Sequence, residues 1–117
     1  MLGNENTVAL LSKMMEMSTS RQKVIAQNIA NANTPGYTKR RLDFENELKN
    51  IIKEGDVNDL HKLKGEIVLD ESGAVRNDGN NVNITSEMND MSQNGVLFSL
   101  MQKAFKSKVG IIKSAIR

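Results

Sequence analysis

The sequence predicts a mainly α-helical chain in which long N- and C-terminal helices pair as a coiled coil around a short, partly disordered middle segment. Two observations predict it. Apolar residues recur at steps of three and four at each end of the chain, and the stretch between them is dominated by Asp, Asn, Lys, Gly and Glu. A third observation limits what those helices achieve alone. Across 117 residues there are three Phe, one Tyr and no Trp, too little aromatic bulk for a large core. The expected division is therefore 1–33 and 84–117 as paired terminal helices, with 34–83 as a turn, a short helix and a flexible remainder.

The first helix is capped from the Asn4 to Thr7 region and runs to about Ala32. Val8, Leu11, Met15, Ile25, Ile29 and Ala32 form its stripe, Leu10, Met14 and Val24 widen it, and the polar Ser18 and Gln22 interrupt it. Its end is written locally. Asn33 suits the left-handed conformation of a helix terminus, Thr34 is pushed to extended geometry by the following proline, and Pro35-Gly36 suit the centre of a type II turn before Tyr37. Lys39-Arg40-Arg41 then reads as a solvated turn compensated by Asp43, Glu45 and Glu47, leading into a short helix from Leu42 to Ile52 that Gly55 ends.

From Gly55 to Asn83 the apolar positions are too sparse to specify a buried element. Glu66–Leu69 and Ala74–Arg76, flanking Asp70-Glu71-Ser72-Gly73, read as a small β-hairpin, which is marginal in isolation. Asp78-Gly79-Asn80-Asn81 forms a second turn cluster, after which Thr85 caps the C-terminal helix while Glu87 and Asp90 suit its positive end. In that helix Ile84, Met88, Met91, Gly95, Phe98, Met101, Phe105, Val109, Ile112 and Ile116 make one stripe. At ~1.5 Å per residue the two stripes make rods of roughly 40 and 50 Å, longer than a globule of this size needs. Each covers only one side of the other, so flanking apolar residues still face water and a partner is implied. The internal Met residues on the stripes serve either as adaptable packing or as a contact surface tolerant of non-identical neighbours.

Several function classes fall away. With one histidine, no cysteine and scattered carboxylates, the chain offers no converging catalytic groups, no cofactor site and no metal-ligand set, and His61 beside Asp59 and Lys62 reads as a solvated loop residue. Val8–Leu11, preceded by Asn4, Glu5 and Asn6, fits neither a cleaved secretory signal nor a membrane span. The net charge is +2, yet Lys103, Lys106, Lys108, Lys113 and Arg117 leave residues 91–117 with five positive charges and no acid. A basic nucleic-acid binder lacks the stacking aromatics and recognition-helix layout it needs, and the polar residues of the last helix weaken a membrane-surface role. A generic coiled-coil adaptor remains the alternative from another class.

Residues 21–37, Arg21-Gln22-Lys23-Val24-Ile25-Ala26-Gln27-Asn28-Ile29-Ala30-Asn31-Ala32-Asn33-Thr34-Pro35-Gly36-Tyr37, resemble the N-terminal signature of the bacterial flagellar rod and hook proteins. Asp78-Gly79-Asn80-Asn81-Val82 followed by Glu87-Met88 is similar to the lead-in to the C-terminal helix of the proximal-rod branch of that family, whereas residues 55–77 carry no resemblance and are short for it. The resemblance implies a non-enzymatic subunit, synthesised in the cytoplasm, exported unfolded by the flagellar type III system and polymerised into the periplasm-spanning rod of the basal body. The implied neighbours are other copies, other rod proteins, the rod adaptor and the membrane-ring base. Leu11, Met15, Ile25, Ile29, Met88, Met91, Phe98, Met101, Phe105, Ile112 and Ile116 would then be assembly contacts, and Phe44 and Leu48 match the Phe-x-x-x-hydrophobic motif read by the export gate. By spacing alone, Phe44 and Leu48 are equally i, i+4 partners on a short helix.

Overall fold

A computed structural model describes residues 4–55 and 57–116. In chain order the elements are α1 (Asn4–Ala30), β1 (Arg40–Asp43), α2 (Glu45–Glu54), a 3-10 turn (Val57–Lys62), β2 (Glu66–Leu69) and α3 (Ile84–Ile116). The mainly α architecture is as the sequence predicts: α1 and α3 pack side by side, and the molecule extends 62 Å along its long axis and 16 Å along its shortest.

The chain leaves α1 through Asn31 to Tyr37. Helix-type bonds from the Asn31 and Ala32 amides to Gln27, Asn28 and Ile29 wind the end down. Asn33 is not left-handed as expected, because no residue other than glycine has positive φ. The reversal is instead placed on Gly36, at φ 74°, with the Tyr37 amide donating to the Thr34 carbonyl at 3.2 Å, the bond that closes a turn centred on Pro35-Gly36. Gly55 ends α2 in the left-handed conformation, also as expected.

Residues 39–43 depart from expectation. Lys39-Arg40-Arg41 is not a loose turn and Leu42 does not start a helix; Arg40–Asp43 forms a strand, and α2 begins at Glu45. This strand takes the place assigned to Ala74–Arg76 as the partner of Glu66–Leu69: β1 and β2 are antiparallel, with Arg40 opposite Leu69 and Asp43 opposite Glu66. The choice follows from Leu42, whose burial fixes which way β1 faces. Residues 71–79 run exposed along the surface. At the start of α3, Asn83 is the cap in place of Thr85: its side-chain oxygen accepts from the Ser86 amide at 3.1 Å and its carbonyl from the Glu87 amide at 2.9 Å.

The main apolar cluster lies between α1 and the middle segment. Met17, Val24, Leu42, Phe44, Leu48, Leu60 and Leu63 form it, with Leu10, Met14 and Ile51 packed against it. The middle therefore does specify buried structure, contrary to the reading that its apolar positions are too few. Leu60 and Leu63 bracket the end of the 3-10 turn, and Leu63 is completely buried. Three aliphatic positions suffice because α1 presents two apolar sides, one to α3 and one, through Leu10, Met14, Met17 and Val24, to this cluster. His61 is exposed on the same turn, its ring nitrogen beside the Asn58 carbonyl, as expected for a surface residue.

Candidate assembly interface

Three features carry the site: the helix seam, the turn that closes it, and the apolar surface left over. The seam is fixed by polar atoms. Ser18 and Gln22, the interruptions in the α1 stripe, face Asn94. The Ser18 hydroxyl donates to Asn94 Oδ1 at 2.9 Å, and Asn94 Nδ2 donates to the Ser18 carbonyl and to Gln22 Oε1, both at 2.8 Å. Ser18 and Asn94 are both buried, so a slip by one turn would strand these groups without partners. Leu11, Met15, Ile25 and Ile29 share the side of α1 that carries Ser18 and Gln22. On α3, Met91, Phe98, Met101, Phe105 and Ile112 line the side that carries Asn94, with Met101 buried and the others partly so. Met88 and Ile116 sit off this seam, 56% and 79% exposed.

The turn is stapled by three asparagines. Asn28, 1% exposed, uses all four of its side-chain positions. Its amide donates to the Arg40 carbonyl at 2.7 Å and to Glu87 Oε2 at 3.2 Å, while its oxygen accepts from the Tyr37 hydroxyl and the Arg40 amide, both at 2.9 Å. Asn80, wholly buried, donates to the Asn31 and Thr34 carbonyls at 2.8 and 2.9 Å, and its oxygen accepts from the Val82 amide at 2.7 Å. Asn81 accepts from the Lys39 amide at 2.7 Å and donates to the Asp70 carbonyl at the same distance. Arg76 reaches the carbonyls of Ala32 and Val82, and the Gly36 amide donates to the Asp78 carbonyl at 2.7 Å. Residues 28–37 and 76–82, remote in sequence, are thus one structural unit.

Glu87 is the carboxylate buried in this unit. Its pKa is raised, chiefly by burial, with the Asn28 hydrogen bond acting in the opposite direction. An open cleft of about 350 Å³ beside it is walled by Arg21, Lys39, Arg40 and Arg41 on one side and by Glu87 and Asp90 on the other. Among the described residues no group of His, Asp or Glu is placed to hold a metal ion, and no helix is long and apolar enough to cross a membrane.

Asn33, Thr34, Pro35 and Gly36 of the helix-ending turn are exposed, whereas Tyr37 turns inward to Asn28. Phe44 and Leu48 are brought together as i, i+4 neighbours, the Leu48 amide donating to the Phe44 carbonyl at 2.9 Å, and both are buried in the cluster under α1. Arg21 covers this corner. Its guanidinium stands 4.6 Å from the Phe44 ring centroid, 2.6 Å from Glu45 Oε1 and 2.5 Å from the Leu42 carbonyl. Asn94 is the seam residue that sequence reasoning missed. It falls three after Met91 and four before Phe98, a position on the stripe that its polarity concealed.

Residues 18–38, which make the seam's polar layer and the turn, match the family described as flagella basal body rod protein. The likeness extends well beyond that segment. Over 93% of its length the chain is 32% identical to the flagellar basal body rod protein FlgB of Borrelia hermsii, covering 97% of that relative. The chain belongs to the FlgB family. It is also 31% identical to FlgB of Borreliella burgdorferi, over 83% of this chain and 85% of the relative, and 26% identical to FlgB of Bacillus subtilis, over 94% and 92%. FlgB membership places the protein in the flagellar basal body as a structural component of the rod.

Proposed function

We propose that the protein is a subunit of the proximal rod, exported unfolded by the flagellar type III system and assembled through α1 and α3 with further copies and with other rod proteins, the rod adaptor and the membrane-ring base. One observation carries this reading. After α3 has packed on α1, a second apolar stripe remains uncovered: Val96, Leu97, Leu100 and Ile111 are each about half exposed or more, at the spacing of a helix face. A 33-residue helix apolar on two sides is suited to more than one neighbour.

The test separates the fold from the contact. Leu100→Asp alters an exposed position, so the purified variant keeps its circular dichroism spectrum while incorporation into the rod, and motility, are lost. Phe105→Asp and Ile29→Asp, on the seam, lose both. Normal motility of all three would reject the terminal helices as the assembly elements.

Phe44 and Leu48 are the export-gate motif in this reading. Because both are buried in the folded subunit, the motif is presented only by an unfolded chain, which is the form that a narrow channel accepts. Phe44→Ala traps the subunit in the cytoplasm. Leu63→Ala, which opens the same cluster outside the motif, leaves export intact; if both variants are exported alike, the assignment fails.

A further inference from the structure

The chain carries a second orphan surface whose character is opposite to that of α3. In β2, Ile67 and Leu69 share the sheet face of Leu42 but project past the cluster that buries it, and they are 60% and 58% exposed. The Asp70 amide bonds to the Lys39 carbonyl, so by antiparallel alternation the backbone groups of Ile67 and Leu69 point away from β1, along a bare edge. Glu66 and Glu71 flank this patch, with no ion-pair partner among the described residues. The α3 ridge of Val96, Leu100 and Ile111 is bordered instead by Lys103 and Lys106, which likewise have no ion-pair partner among the described residues, and no acid follows Asp90. One surface is greasy and acidic, the other greasy and basic.

They do not meet within a copy. Asn28 and Arg21 hold β1, and with it β2, beside the C-terminal half of α1. Asn94 lies against Ser18, so the ridge centred near Ala104 runs the other way, about 30 Å from the sheet along the long axis at ~1.5 Å per residue. Complementary surfaces at opposite ends of one chain make a heterologous contact, which extends from copy to copy rather than closing in a pair.

We infer that the Val96–Ile111 ridge of α3, with Lys103 and Lys106, docks on the Glu66–Glu71 edge of β2 in a second copy of this chain. The inference rests on the rod-subunit reading and names which surfaces of neighbouring subunits touch. The ridge is about 24 Å long by ~10 Å wide, smaller than the ~800 Å² per partner of a stable binary interface. A single contact is therefore weak, and it strengthens when several are made at once in a repeating array.

The absence of cysteine makes the test direct. Full-length Leu100→Cys and Ile67→Cys proteins carrying different mass tags are mixed at high concentration under mild oxidation. The expected product is the mixed disulfide dimer, in excess over either homodimer. Adding Lys103→Glu and Lys106→Glu to the first protein slows its formation about tenfold through like-charge repulsion, and adding Glu66→Lys and Glu71→Lys to the second restores it. Predominant Ile67→Cys homodimers would mean that β2 edges pair with each other, and predominant Leu100→Cys homodimers that ridges pair with ridges; either overturns the contact, as does indifference to charge reversal. If the mixed dimer fails to form while Leu100→Asp still blocks rod incorporation, this contact is wrong and the rod-subunit reading stands. If Leu100→Asp incorporates normally, the rod-subunit reading is itself wrong.

Discussion

Asn28 is the residue on which the closed end of the molecule turns. Removing its side chain leaves an amide and a carbonyl of Arg40, the Tyr37 hydroxyl and the Glu87 carboxylate without their partner. Each such group costs ~1–3 kcal/mol when it cannot reach water. Asn28→Ala is therefore expected to lower stability by about 3 kcal/mol, and Asn80→Ala by about half as much, because Thr34, one of the two residues whose carbonyls it would release, is exposed. Urea titration measures both. Glu87 gives a pH signature. Its folded pKa lies above its unfolded one, so the folded state holds the proton more tightly, and stability from this group falls as pH rises from the ordinary carboxylate range through the raised value. Glu87→Gln should consequently be at least as stable as the wild type at neutral pH, with the difference closing on acidification. A variant less stable at pH 7 than at pH 4, relative to wild type, would show that the charge itself is needed. At this scale the sequence disclosed the turn, because Thr34-Pro35-Gly36 carries its own geometry. It did not disclose the roles of Asn28 or Asn80, since a side chain that bonds residues up to 59 positions away leaves no local pattern.

Both long helices were legible from spacing, and so were the chain reversal and the glycine that stops α2. The strand pairing was not. Arg40–Asp43 has four residues, and Leu42 fits the start of a helical stripe as readily as one face of a strand. What decides for a strand is non-local: Asn28 and Arg21 take the backbone groups of Arg40 and Leu42 on the edge away from β2. The helix seam was half legible. Ser18 and Gln22 stood out as interruptions, and their meaning appeared only with Asn94 opposite them. Asn94→Ala should cost ~1–2 kcal/mol, since it strands a buried hydroxyl, while Leu100→Ala, two turns further along but exposed, should cost less than ~0.5 kcal/mol. Equal losses in thermal or urea unfolding would mean that α3 packs by a different face.

For the whole molecule, the sequence led to an expectation that the paired ends supply most of the packing, and this was only partly right. The seven-residue apolar cluster lies under α1 and draws on residues 42–63, so that α1 is covered from two sides and α3 from one. Order in a lone molecule should follow that difference. In dilute solution, hydrogen exchange is expected to be slow through Met14–Asn28 and fast in the last turns of α3, which run past the start of α1. Circular dichroism at low micromolar concentration should accordingly show less helix than α1 and α3 together contain. Uniform slow exchange across α3 would mean that it needs no neighbour. Pairing the first helix with the last has a topological corollary. A polypeptide threaded through a narrow conduit cannot zip these two segments together until its entire length has emerged, whichever end leads. The leading segment must wait, uncovered, for the trailing one, so completion of the subunit is timed by its release, at the place where other subunits are within reach.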